Sequence, residues 1–199
     1  SVDVLGYLRG LRIGRLNIAP VQYNPVKHTL RIIEEIEFEI LFEGADIQLS
    51  MKERARNDNP YFRSLGRQFI NHQSLKPASR DTVANYPIKY LIIADPMFAG
   101  QLQPFIEWKT RKGFTVIEAY TDDPSVGNTT LSIKSYIEGL YNAGTAEDPA
   151  PSFVLFVGDV EQIPAWSGNA GYHVTDLYYC EFTGDEFPEM YYGRFSAQN

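Results

Sequence analysis

Ile88-Lys89-Tyr90-Leu91-Ile92-Ile93-Ala94-Asp95 is the stretch on which the fold turns. It is a nearly continuous apolar run as far as Ala94, and a strand without polar alternation is one covered on both faces, as in a parallel sheet. The period then becomes helical, with Leu102, Phe105, Ile106 and Lys109 at the required spacing. Pro104 fits such a helix in its first turn, where a missing N–H does no harm. Gly113 supplies the C-cap, and residues 114–120 read as a second strand. A second helix starts near Thr130, carries Ile133, Tyr136, Ile137, Leu140 and Tyr141 on one face, and ends at Gly144. Residues 153–157 form a third buried strand that stops at Gly158-Asp159. A β-α-β-α-β order with right-handed crossovers gives a parallel sheet, so the predicted class is α/β and flavodoxin-like. Asp95 and Asp159 then fall at carboxyl ends of strands, where such sheets place their sites. Residues 174–182 and 190–196 read as two further strands around a polar loop.

Upstream the period is two. Ile36, Phe38, Ile40 and Phe42 alternate with Glu35, Glu37, Glu39 and Leu41, which predicts a strand with one buried face. Leu11, Ile13, Leu16 and Ile18 suggest an earlier strand, and Tyr23-Asn24-Pro25 a turn before another at 29–33. Residues 1–50 are thus the tail of an antiparallel β domain. Gly6, Gly10 and Gly14 recur every four residues, but the arginines between them exclude a membrane helix. Residues 51–80 lose the pattern and gain positive charge at Lys52, Arg54, Arg56, Arg63, Arg67, Lys76 and Arg80. They read as a basic linker, with a short docking helix around Tyr61, Phe62, Leu65, Phe69 and Ile70.

Composition narrows the function. A net charge of -7 argues against nucleic acid, whose phosphates need concentrated positive charge. No apolar run approaches the roughly 20 residues of a membrane span. The opening stretch Ser1-Val2-Asp3-Val4 is mixed and does not read as a signal peptide, as is expected equally of an excised piece of a longer chain. The one cysteine, Cys180, rules out an internal disulfide. Nor can Cys180 pair with His173. They lie seven residues apart in a segment that reads as extended, about 23 Å at strand spacing, beyond the reach of a nucleophile–base pair. Cys180 reads as a small apolar residue in a strand. Asp95-Pro96-Met97-Phe98 has no glycine with which to cradle a phosphate, and no His or Cys spacing suits zinc. Thr183, Asp185, the carbonyl of Phe187 and Glu189 offer oxygens at every second position around Gly184. That spacing suits a calcium loop, although on spacing alone an ordinary acidic hairpin turn is the commoner reading.

Residues 174–179, Gly184-Asp185 and 187–191 resemble the lysine-specific branch of the gingipain family of cysteine peptidases. So do residues 108–114, Tyr120-Thr121-Asp122 and Val157-Gly158-Asp159, while Gly193-Arg194-Phe195-Ser196 is closer to the arginine-specific branch. The resemblance runs in order over 81–199, and residues 11–20 with the strands that follow are similar to the end of the family's propeptide. It implies that 81–199 is the first of two caspase-like subdomains. The catalytic histidine and cysteine would lie in the second, beyond this chain, so no catalytic residue is expected within it. It also implies protein or peptide substrates engaged through that second subdomain, and a secreted or cell-surface location. A structural calcium ion would be held by Asp159, Asp185, the Phe187 carbonyl and Glu189, with the last ligand at Thr183 or Phe182. Maturation is expected at Arg80-Asp81. Two other readings stand beside this one: a sortase or transpeptidase of the same family, and a non-catalytic flavodoxin-like binding domain.

Overall fold

The computed structural model describes residues 1–71 and 87–198. In the C-terminal part, β5 (Ile88–Ala94), β6 (Phe114–Tyr120), β7 (Phe153–Val157) and β10 (Tyr191–Phe195) form a parallel sheet in the order β10-β7-β5-β6. Side chains alternate along a strand, so β5 feeds two cores. Leu91 and Ile93 face α4 (Thr130–Asn142) with Ile133, Ile137, Phe156 and Met190, while Tyr90, Ile92 and Ala94 face α3 (Ala99–Arg111) with Leu102 and Val157. Burying each large apolar side chain contributes about 1.5–3 kcal/mol before the entropy of ordering it. The expected α/β class, with an antiparallel N-terminal part, is the one observed.

Several elements differ from expectation. α3 starts at Ala99 because Asp95 caps a short 3-10 turn over Pro96–Phe98, its carboxylate accepting from the Met97 N–H. Pro104 therefore lies inside α3 and not in its first turn. Of the strand expected at 174–182, only Val174–Thr175 is extended (β9), paired with β8 (Trp166–Ser167). The chain then turns through a 3-10 segment at Leu177–Tyr179, so Cys180 caps that turn instead of sitting in a strand. The strand expected at 36–42 is absent. Its alternation is real, but Ile36, Phe38, Ile40 and Phe42 are exposed, and among the described residues no neighbouring strand completes a ladder with them.

The N-terminal part contains two hairpins. β1 (Val2–Leu8) pairs with β2 (Leu11–Leu16), and β3 (Val21–Asn24) pairs with β4 (Thr29–Ile32). Helix α1 (Ile47–Asn57), capped by Asp46, occupies a stretch in which the sequence shows no pattern. α2 (Pro60–Gly66) follows, and it ends before Phe69 and Ile70, the latter exposed. Tyr61 and Phe62 dock as anticipated. The Tyr61 ring lies 4.9 Å from that of Phe153, and the Phe62 ring 4.5 Å from that of Tyr191. Asn59 donates to the Ser152 hydroxyl at 2.5 Å and Arg56 to the Tyr141 carbonyl at 2.9 Å.

Candidate functional site

The two ends of the parallel sheet carry different chemistry. At the carboxyl end, Arg194 leaves β10 and forms a two-point ion pair with Asp176, at 2.7 and 2.9 Å. Its Nη1 also donates to the carbonyls of Gly158 and Ile163, at 3.0 and 2.9 Å. Arg194 and Asp176, together with Asp159, Val160, Val174 and Ser196, line a pocket of about 130 Å³. Asp159 stands beyond β7, where its N–H donates to the Ala197 carbonyl. Its carboxylate accepts from the Val160 N–H at 2.9 Å and the Gln198 amide at 2.7 Å. Asp95 also lies at this end, but its side chain is spent on the helix cap.

Asp185 and Glu189 lie at the other end. β10 runs parallel to β7 with Tyr191 opposite Phe153 and Phe195 opposite Val157, so Glu189 precedes the sheet while Asp159 follows it. About 25 Å of extended chain separates Glu189 from Ala197, the residue bonded to Asp159. A calcium ion holds its oxygens at about 2.3–2.6 Å. Asp159, Thr183, Asp185, Phe187 and Glu189 therefore do not form one ligand set, and among the described residues no three His, Cys, Asp or Glu side chains gather to hold a metal. Arg80 and Asp81, the expected processing site, lie outside the described residues.

What Asp185 and Glu189 bind instead is the N-terminal hairpin. Asp185 accepts the Tyr7 N–H at 2.5 Å and the Phe187 N–H at 2.9 Å. Burial pushes its carboxyl pKa up, but those two N–H groups and the Thr183 hydroxyl outweigh burial and leave it lowered. Glu189, 1% exposed, accepts the Arg9 N–H at 2.5 Å and the Tyr141 hydroxyl at 3.0 Å. Here burial dominates, and the pKa is raised. Arg9 itself is 3% exposed. It donates to the carbonyls of Glu189 (3.0 Å), Pro151 (3.1 Å) and Asn57 (3.3 Å), with its guanidinium 4.6 Å from the Phe62 ring centre. Sequence reasoning missed this residue, although a signal was present: Arg9-Gly10 interrupts two apolar runs and carries the glycine that a two-residue hairpin turn needs.

Among the described residues no nucleophile–base pair forms on Cys180. Its side chain is wholly buried, whereas His173 is exposed on β8–β9. Burial, then the charge of Asp176, pushes the thiol pKa up, opposite to the shift a reactive thiolate needs.

Comparison with known proteins gives the lineage. A model of peptidase family C25 matches residues 83–199, and a model of the C25 propeptide matches residues 2–58. Lys-gingipain of Porphyromonas gingivalis is 39% identical over all 199 residues, and gingipain R1 of the same organism is 27% identical over 195 residues. The chain spans only 11% and 19% of those two proteins. A solved structure described as a protease superposes with a TM-score of 0.53 at 44% identity, over 57% of this chain and 25% of the other. The sequence therefore joins a propeptide stretch to a peptidase stretch, and the chain belongs to peptidase family C25, the gingipain family of cysteine peptidases.

Proposed function

We propose that this chain comes from the zymogen of a secreted or cell-surface cysteine endopeptidase. Residues 1–50 are the end of its β-rich pro-segment, 51–80 the processing region with cleavage at Arg80-Asp81, and 81–199 the first subdomain of its catalytic unit. The observation that carries this reading is the insertion of Arg9 against Glu189 and Pro151, a buried contact between the stretch matched as propeptide and the stretch matched as peptidase. The thiol and imidazole of catalysis, and the surface that engages protein substrates, then belong to a second subdomain. There a thiolate activated by histidine attacks a peptide carbonyl.

Two measurements test this. The 199-residue chain should not cleave fluorogenic peptides containing lysine or arginine under reducing conditions, because Cys180 has no accessible thiolate. Turnover that Cys180→Ala abolishes would overturn that statement. The longer precursor, once cut, should cleave the same peptides and lose activity on thiol alkylation. Cleavage indifferent to alkylation would exclude a cysteine peptidase.

A further inference from the structure

Arg9 occupies the first central position of the β1–β2 turn with φ 46°, followed by Gly10 at φ 76°. An arginine held in the left-handed region costs free energy, and it persists only where its surroundings fix it. Those surroundings converge on one point. The Glu189 carboxylate takes the Arg9 backbone N–H, and the Glu189 and Pro151 carbonyls take the guanidinium. The guanidinium lies 5.7 Å from the centre of the Tyr141 ring, so on the α/β side every partner is an acceptor or a π face. Beside it, Tyr7 donates to Asp185, and a Cβ on Gly6 would come within 2.5 Å of the Asp185 carboxylate. Only a glycine allows the hairpin to lie this close.

We propose that this pocket is an arginine-reading docking site that takes a β-turn with arginine at its first central position, the chain's own β1–β2 hairpin being the occupant. Arg9 is its specificity-determining residue. Because Pro151 precedes β7 and Glu189 precedes β10, the site lies at the amino end of the sheet. The docked hairpin fastens the N-terminal segment at the end of the sheet opposite to Asp159 and Arg194, so the site works as an anchor point. The inference rests on the pro-segment reading only for its biological setting.

To test it, a recognition sequence for a site-specific protease is placed between residues 72 and 86 of the full chain, and the purified protein is nicked. Association is then intermolecular whether or not that stretch is a natural maturation site. The two pieces should co-elute at micromolar concentration. Arg9→Ala should weaken their association at least ~30-fold, the size expected for loss of a buried anchor residue. Arg9→Lys should restore only part of it. An ammonium can replace Nη1 on the Pro151 and Glu189 carbonyls but has neither the Nε donor that reaches Asn57 nor a planar face for the Phe62 ring. Arg15→Ala, on the exposed face of β2, should leave it unchanged. A free peptide of residues 1–17 should displace the N-terminal piece, and the same peptide with Arg9→Ala should not, which keeps the test decisive even where the full-chain variant fails to fold. Equal association with and without Arg9, or equal competition by both peptides, would overturn the proposal.

Discussion

Arg194 and Cys180 show how single residues hold the surroundings of the sheet together. Arg194 joins the turn after β7, through Gly158 and Ile163, to Asp176 ahead of the 3-10 turn. Both partners of that ion pair are mostly buried, at 12% and 13% side-chain exposure, where breaking a pair leaves an uncompensated charge. Cys180 lies below, in the core against α4. An ordinary thiol ionises near pH 9, whereas the folded chain holds this one protonated well above that value. Above pH 9 the unfolded state binds fewer protons than the native state, so stability falls as pH rises, and below pH 9 the thiol contributes no slope. Denaturant titrations at pH 8 and pH 10 should therefore show wild type losing stability relative to Cys180→Ala between the two. A thiol reagent at pH 8 should react only as fast as the chain unfolds. Fast labelling of native protein, or parallel pH profiles for the two proteins, would contradict this burial.

Among the elements, those carrying their own punctuation were readable from sequence. α4 begins where predicted because Thr129 and Ser132 form a reciprocal cap, each side chain accepting from the other's backbone N–H. Thr129→Ala should cost about 1 kcal/mol, a fall of roughly 2–4 °C in melting temperature for a chain of this size. A melting temperature equal to wild type would mean that packing of Ile133 and Ile137 alone fixes the start of this helix. The buried strands were readable for the same reason: their apolar runs are long and bounded by Gly113 and Gly158. α1 was not, because Lys52, Glu53, Arg54 and Arg56 mask any apolar stripe, and the helix is held through Arg56 and Asn57 reaching other segments. The candidate ligand loop shows the complementary failure. Local spacing made Asp185 and Glu189 neighbours correctly. No local pattern could reveal that β10 runs parallel to β7, which sends Asp159 to the opposite end. The segment at 36–42 fails for a third reason: alternation specifies which face to bury, but not whether a partner strand is present to bury it.

At the scale of the whole molecule, packing falls off steeply from one end of the chain to the other. Leu91, Ile93, Ile133, Ile137 and Phe156 are wholly enclosed, whereas Leu30 and Ile32 are 64% and 65% exposed and Phe42 is 73% exposed. Among the described residues β3 and β4 pair only with each other, and an isolated two-stranded hairpin is marginal in water. β1–β2 is also a lone pair of strands among the described residues, yet its turn is held to the α/β unit by the Tyr7 bond to Asp185 and by the buried bonds of Arg9. Local opening free energies follow buried contacts and protected hydrogen bonds, so native-state hydrogen exchange should resolve three classes. Amides of residues 18–46 should exchange nearly as fast as an unfolded peptide. Those of β5, β7 and α4 should exchange only through global unfolding, and their rates should track denaturant stability. The Tyr7 and Arg9 amides should lie between, slowed by the carboxylates that accept them, and Arg9→Ala should move Tyr7 into the fast class without altering β5. Protection of residues 29–42 equal to that of β5 would show that this stretch buries its apolar face in solution. A Tyr7 amide as fast as those of β3 would show that the hairpin does not stay docked.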